Sequence, residues 1–206
     1  MHVNKLILTR KNELAVSNWS GGSTTQLFLY PPGTSYGARD FEIRISSATV
    51  DQTPSTFTSL PGYHRVLMPL NAPLKLVFES HGEKELQPFE TVEFEGEWNT
   101  VSHGICTDIG IMLAASWQGS LKATGSGKYQ CAPGFTAVYA LADGIKANAI
   151  KEEHTLKQGD FLLLEAETAA ELELNAPGEN AAILILVCSI IKMNSQKVWY
   201  RYPIRE

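Results

Sequence analysis

Two arginines are the residues of this sequence best suited to hold a small acid. Arg44 lies in Phe41-Glu-Ile-Arg-Ile-Ser46, where apolar and polar residues alternate, and Arg65 follows the turn Leu60-Pro-Gly-Tyr-His. A guanidinium can donate two parallel hydrogen bonds to one carboxylate. If the polar face of the first segment lines a β-barrel interior, Arg44 is buried and needs an anionic partner. If that face points to solvent, Arg44 is an ordinary surface residue; the spacing alone favours this second orientation and leaves the first open.

A segment nearer the N-terminus has the composition of a turn that contacts a ligand. Trp19-Ser-Gly-Gly-Ser-Thr-Thr25 places an aromatic ring and two glycines directly before a predicted strand. Gly21 and Gly22 permit a close backbone approach, and exposed amides beside Thr24 can donate to an anion. The segment therefore predicts an anion-contacting turn.

Nucleotide-binding and nucleophilic motifs are incomplete. Gly125-Ser-Gly-Lys128 resembles the end of a phosphate-binding loop, but Lys122 occupies the position of the earlier glycine and Tyr129 follows the lysine. The chain has no GxSxG turn, and Cys106 beside His103 has no orienting partner in the sequence. We assign no catalytic residue from these patterns.

Metal ligands of the kind that cupin barrels use are also incomplete. The five histidines are scattered and form no HxH pair, which predicts no metal and no cofactor. Glu93, Glu95 and Glu97 alternate along one face of a predicted strand. This pattern favours a solvated, charged sheet edge over a pair of catalytic carboxylates.

Composition excludes several classes of function. The chain has 206 residues and a net charge of −5, so it lacks the basic surface that nucleic-acid binding requires. Three separated cysteines without a CxxC pair are typical of a reduced, cytoplasmic protein. The longest apolar run, residues 181–191, is about half of the ~20 residues that a membrane span needs. We therefore expect a soluble, cytoplasmic protein that binds neither nucleic acid nor membrane.

Short strands are the elements that must position these residues. Apolar or alternating runs recur between turn dipeptides such as Pro61-Gly62, Pro133-Gly134 and Asp143-Gly144, a rhythm typical of β-sandwiches and barrels. The run at residues 181–191 does not alternate, so it predicts a strand buried on both faces. Residues 117–134 are rich in Gly and Ser and predict a connector. We predict an all-β fold with little helix and two β units, residues 1–118 and 119–206, between which strands are exchanged.

Three blocks in fixed order resemble the HutD/Ves family. They are W-x-G-G-x-T at Trp19 to Thr24, F-x-x-R-I-S-x-A at Phe41 to Ala48, and F-x-x-L-P-G-x-x-R at Phe57 to Arg65. Further similarity follows at Phe94-Glu-Gly96 and at Thr107 to Met112, so the resemblance covers about the first 115 residues. Two departures are Ser20, where relatives often carry Lys-Asn, and Gly110, where the family motif has Asn.

The resemblance implies a double cupin-like β-barrel of jelly-roll type that lacks the usual metal ligands. It also implies a role as a regulator of histidine utilisation, with a pocket for a degradation intermediate such as formylglutamate. The pocket positions that it transfers are Trp19, Gly21, Gly22, Thr24, Arg44, Ser46 and Arg65.

Three functions follow from the residues and the resemblance together. The favoured one is a non-enzymatic regulatory protein that binds a small carboxylate with Arg44 and Arg65, beside Thr24, Ser46 and a wall formed by Trp19. The second is a metal-independent cupin-fold isomerase, lyase or hydrolase. The third is a stress-related protein-interaction module. Whether the protein forms a homodimer is left open.

Overall fold

Strands account for nearly all of the regular structure. The computed structural model describes residues 4–190, so the end of the apolar run and of the second predicted unit lies outside the described residues. One short 3-10 helix, Lys11–Glu13, follows the first strand. The strands are β1 (Lys5–Thr9), β2 (Ala15–Trp19), β3 (Gly22–Tyr30), β4 (Ile43–Val50), β5 (Ser55–Thr56), β6 (Tyr63–Pro69), β7 (Leu74–Phe78), β8 (Gly82–Leu86), β9 (Val92–Glu95), β10 (Thr100–His103), β11 (Thr107–Ala114), β12 (Trp117–Thr124), β13 (Gly127–Cys131), β14 (Gly134–Ala140), β15 (Ile145–Ala149), β16 (Glu152–Leu156), β17 (Phe161–Ala166), β18 (Ala170–Asn175) and β19 (Ala182–Ser189).

The strands form four antiparallel sheets whose order repeats. A six-stranded sheet, β2-β3-β4-β11-β6-β9, faces a four-stranded sheet, β5-β10-β7-β8. A five-stranded sheet, β1-β17-β14-β19-β12, faces a second four-stranded sheet, β13-β18-β15-β16. Adding eight to each strand number converts β4-β11-β6-β9 into β12-β19-β14-β17, and β5-β10-β7-β8 into β13-β18-β15-β16. Strands β4–β11 and β12–β19 are therefore two jelly rolls of the same topology, which we call the first and the second unit.

The largest apolar cluster joins the two units. It packs the odd-numbered side chains of β4 and β11, such as Ile45 and Ile111, against those of β17 and β19, such as Leu163 and Ile185. The six-stranded and five-stranded sheets therefore meet face to face. Because this contact uses one face of each sheet, the other face of each points into its own unit.

Strand β19 explains the apolar run without alternation. Ile183 and Ile185 belong to the cluster between the units, whereas Ala182 and Leu184 belong to the core of the second unit. The prediction of a strand buried on both faces is confirmed for the described part of the run.

The all-β prediction with little helix is confirmed, but the predicted connector is wrong. Within residues 117–134, β12 pairs with β19 along its whole length and β13 pairs with β18. Glycines there serve close strand packing: a Cβ at Gly119 would lie 2.8 Å from the Leu186 carbonyl oxygen. Strand β12 also begins at Trp117, just before the predicted boundary at residue 118.

The N-terminal strand lies in the five-stranded sheet of the second unit. The N-terminal strand β1 pairs with β17 of the second unit. Asp160 ties this strand down, because its carboxylate accepts from Arg10 Nη1 at 2.7 Å and from the Lys11 backbone N–H at 3.0 Å. No helix in the described part of the chain has the length and apolar character needed to cross a bilayer.

Candidate functional site: an arginine-lined pocket in the first unit

A cavity of about 350 Å³ lies inside the first unit. This volume is in the range of small-molecule pockets. Five residues of the predicted set line it, namely Trp19, Thr24, Arg44, Ser46 and Arg65. Their neighbours in the wall include Tyr36, Phe57, Thr58, Phe94, Asp108, Gly110 and Met112.

The register of the six-stranded sheet places the two arginines in one row. Met112 of β11 pairs with Arg44 on β4 and with Arg65 on β6. The arginines are therefore two strands apart, about 10 Å between Cα atoms, on the same face of the sheet. Both side chains are buried, at 6% and 5% exposure, so the surface orientation that the spacing favoured for Arg44 does not occur.

Arg44 has few polar contacts. Its Nη1 donates to the Met112 sulfur at 3.8 Å, a weak acceptor. Its guanidinium carbon lies 4.3 Å from the centre of the Tyr36 ring, within cation–π range. Nε is buried without a partner among the described residues. Burial lowers the pKa of Arg44, and Tyr36 opposes this effect.

Arg65 is held more firmly and still lacks an anion. Its Nη2 donates to the Thr58 carbonyl oxygen at 2.6 Å, and its guanidinium carbon lies 5.5 and 5.8 Å from the centres of the neighbouring Phe57 and Phe94 rings. Its Nε is also buried without a partner among the described residues. Burial lowers the pKa of Arg65 to about 10; Tyr36 opposes this effect, and the charge of Arg44 adds a smaller lowering.

Two buried positive charges therefore face one cavity. Within residues 4–190, neither guanidinium has a carboxylate oxygen within 4.0 Å. Buried charges in proteins are normally paired, because transfer out of water costs several kcal/mol per ion. The unused donors and the missing counter-charge are the two features that an anion in the cavity would satisfy.

The loop between β3 and β4 positions the Tyr36 ring, which covers the Arg44 guanidinium. Tyr36 lies in the segment between β3 and β4, where Asp40 accepts from the Ser35 backbone N–H at 2.8 Å. The Tyr63 hydroxyl donates to the Phe41 carbonyl oxygen at 2.7 Å and anchors the end of this loop to β6. The ring of Tyr36 is thereby fixed over the guanidinium.

Trp19 lies at the exposed side of the pocket. It is 39% exposed, and its indole N–H donates to the Thr24 hydroxyl oxygen at 3.1 Å. A Cβ on Gly21 would come 2.2 Å from the Trp19 ring, and one on Gly22, at a φ of +152°, would come 1.9 Å from the Thr49 carbonyl oxygen. Gly21 therefore leaves space for the Trp19 ring, and Gly22 leaves space for the backbone of β4. Neither glycine lines the cavity.

An acidic residue lies at the other end of the wall. Asp108 belongs to the same face of β11 as Met112 but is four residues away, about 13 Å along the strand. It is 7% exposed. Burial raises the pKa of Asp108 to about 7, opposed by a hydrogen bond from the Ala48 backbone.

The sequence prediction missed wall residues both between the strands and within them. Tyr36, Phe57 and Thr58 lie in segments between strands, where no periodicity indicates which way a side chain points. Asp108 had a usable signal, since it interrupts an apolar strand in the same manner as Arg44. Among the described residues, no group of three or more His, Cys, Asp or Glu side chains is arranged to hold a metal ion.

The fold and the pocket together define a double cupin protein whose first unit carries an arginine-lined cavity. The cupin 2 conserved barrel domain protein of Leptotrichia buccalis superposes with a TM-score of 0.55 at 15% identity, covering 89% of this chain and 96% of that one. This similarity confirms the predicted double cupin-like fold, although the strand ladders leave each unit as two facing sheets.

The family follows from a sequence match. The HutD family model matches residues 11–182, so this chain belongs to the HutD family, as the resemblance predicted. HutD from Pseudomonas fluorescens SBW25 (formate condition) superposes with a TM-score of 0.73 at 19% identity, covering 90% of this chain and 99% of that one. A conserved protein of unknown function from Pseudomonas aeruginosa PAO1, PA5104, gives a TM-score of 0.79 at 19% identity, covering 90% and 100%. No curated protein matches the chain at a significant level.

Proposed function

We propose that this protein is a non-catalytic regulatory protein that binds a small carboxylate in the first unit. One observation carries the proposal: Arg44 and Arg65 face one cavity, both almost fully buried, with no carboxylate of the described residues beside them. A carboxylate ligand would supply the missing charge and accept from the two free Nε groups. Thr24 and Ser46 add hydroxyl groups to the same wall.

Membership of the HutD family suggests where such a ligand originates. We propose an intermediate of histidine degradation, such as formylglutamate, as the first compound to test. Binding of a metabolite would let the protein report its concentration to a partner.

The buried acid in the same cavity favours one alternative. Asp108 has its pKa raised to about 7, which suits a general acid or base. A metal-independent isomerase, lyase or hydrolase is therefore the second candidate, and turnover of a bound acid that stops in Asp108→Asn would select it. Large exposed apolar side chains are scattered in the described residues (Val16, Trp19, Ile105 and Ile190), so no observation favours the interaction module.

Titration calorimetry tests the proposal directly. We expect glutarate, pentanoate or N-formyl-L-glutamate to bind the protein at pH 7, and Arg44→Met or Arg65→Met to abolish the heat signal. Lys84→Gln, which removes an equal charge from the exposed strand β8, is the matched control and should bind normally. Absence of binding by all three acids, or unchanged binding in both arginine variants, would contradict the proposal.

A further inference from the structure

The pocket has two ends of opposite character. The arginine row lies at Met112 of β11, and Asp108 lies about 13 Å away on the same face. Both ends line one cavity, and both consist of side chains that are more than nine-tenths buried. A ligand that satisfies only the arginines leaves the buried acid without a positively charged partner.

The surroundings of Asp108 supply no charge of their own. The cavity residues that β2 to β5 contribute are all neutral except Arg44, which lies in the distant row. On β6, Asp108 is paired with Pro69. The nearby titratable group is the Cys106 thiol, whose pKa rises to about 11 through burial and the charge of Asp108. An ionised Asp108 therefore has no cation among the described residues to stabilise it.

We infer that the pocket selects acids that carry a basic nitrogen at the end opposite their carboxylate, with the carboxylate on Arg44 and Arg65 and the ammonium group on Asp108. This inference rests on the proposed function and names the ligand class of the same site. The charges agree with it, because two guanidinium groups and one carboxylate leave room for an anion at one end and a cation at the other. An N–H···carboxylate contact in such a buried place is worth about 1.5–3 kcal/mol, which is roughly tenfold or more in affinity.

Proton release distinguishes this ligand class from its rivals. Burial raises the pKa of the free Asp108 carboxyl to about 7, so the group carries its proton in part of the molecules at pH 7. Contact with an ammonium group favours the carboxylate, so the Asp108 proton passes to solvent when the complex forms. A neutral acceptor such as an amide oxygen would leave the proton in place, and a second carboxylate would take up a proton or be repelled.

Three acids with the same five-carbon skeleton test the inference by calorimetry at pH 7, in two buffers of different ionisation enthalpy. We expect δ-aminovalerate to bind about tenfold more tightly than pentanoate, glutarate to bind less tightly than δ-aminovalerate, and only δ-aminovalerate to release a proton. Asp108→Asn should cancel the tenfold gain and the proton release but keep pentanoate binding. Asp143→Asn, in a turn of the second unit, is the matched control and should keep both effects.

The outcomes distinguish failure of the inferred ligand class from failure of the proposed carboxylate-binding function. Binding of pentanoate and glutarate without any gain from the amine, or a gain that persists in Asp108→Asn, would overturn this inference and leave the proposed function standing. Binding of none of the three acids, nor of N-formyl-L-glutamate, would overturn both.

Discussion

The two units share one topology but fill their interiors in different ways. The five-stranded sheet of the second unit directs Val138, Leu162, Leu164 and Leu184 into the core of that unit, where they pack against its four-stranded sheet. The corresponding sheet of the first unit directs Arg44, Ser46, Arg65 and Asp108 into its interior, and a cavity remains. The apolar packing inside the first unit is divided between two smaller clusters, one around Leu76, Phe78 and Phe94 and one around Phe41, Leu60 and Tyr63.

This difference shows which unit supplies stability and which supplies a site. Lowering the pKa of Arg65 to about 10 corresponds to roughly 3 kcal/mol of unfavourable free energy for burying its charge. The described part of the second unit has no buried arginine, and its apolar core, with the cluster between the units, offsets the cost in the first. One jelly roll acts as a scaffold and the other is free to hold polar groups.

The most severe test of the comparison transfers an arginine to the second unit. Leu164→Arg places an unpaired charge in a filled core, and we expect a loss of more than about 5 kcal/mol, because overpacking and desolvation add. Chemical denaturation monitored by circular dichroism measures it. The control Leu164→Met should cost less than about 1.5 kcal/mol. A stable Leu164→Arg protein would show that the two interiors are alike after all.

The next largest effect concerns the buried acid. Because the folded state raises the pKa of Asp108 from 3.8 to about 7, the folded state holds the proton more tightly than the unfolded chain does. Stability therefore falls as pH rises from about 4 to 7, by up to roughly 4 kcal/mol, and the loss is complete above the folded pKa. Asp108→Asn should flatten this part of the pH profile and stabilise the protein at pH 8. An unchanged profile in this variant would contradict the prediction.

A smaller effect of opposite sign distinguishes the binding arginine from a structural one. Arg65→Met removes a buried charge and keeps the side-chain volume, so we expect the ligand-free protein to become about 1–3 kcal/mol more stable while acid binding is lost. The loss of the hydrogen bond to Thr58 works against this gain. Thermal unfolding with and without glutarate measures both effects. Destabilisation in Arg65→Met would mean that the arginine serves the fold.

The cover of Arg44 should have a weaker influence. Tyr36→Leu removes the ring over the guanidinium, and we expect acid affinity to fall by about two- to fivefold, in line with a cation–π contact of about 0.5–1 kcal/mol. Tyr36→Phe keeps the ring and serves as the control. Equal losses in both variants would assign the effect to the hydroxyl group.

The smallest effect is expected at the charged edge of the first unit. His64 lies between Glu93 and Glu95, at 3.2 and 3.0 Å, on an exposed face away from the cavity. Glu95→Gln should change the free energy of unfolding by less than about 0.5 kcal/mol and leave acid binding unchanged, since exposed ion pairs contribute little. A marked loss of binding would extend the site to this edge.

Local patterns predicted the elements well because the strands are short and the turns are marked. The alternation at residues 41–46 identified β4, and the unbroken apolar run identified β19 as a strand with two buried faces. The Gly- and Ser-rich composition of residues 117–134 was misleading. A glycine that lets a neighbouring strand lie close looks the same in a sequence as a glycine of a connector. Composition does not show whether a glycine is present because a neighbouring strand lies close to it or because its own backbone must be flexible.

The sequence by itself determined that this chain is an all-β protein of the HutD family and that Arg44 and Arg65 are its strongest anion-binding candidates. It could not decide which way the polar face of β4 points, because strand alternation defines two faces without saying which one meets another sheet. Only the tertiary structure decided this: the apolar face of β4 packs between the units, so its polar face lines the cavity. The same packing brings Tyr36 over Arg44 and places Asp108 at the far end of the pocket, two contacts between segments that lie far apart in the chain.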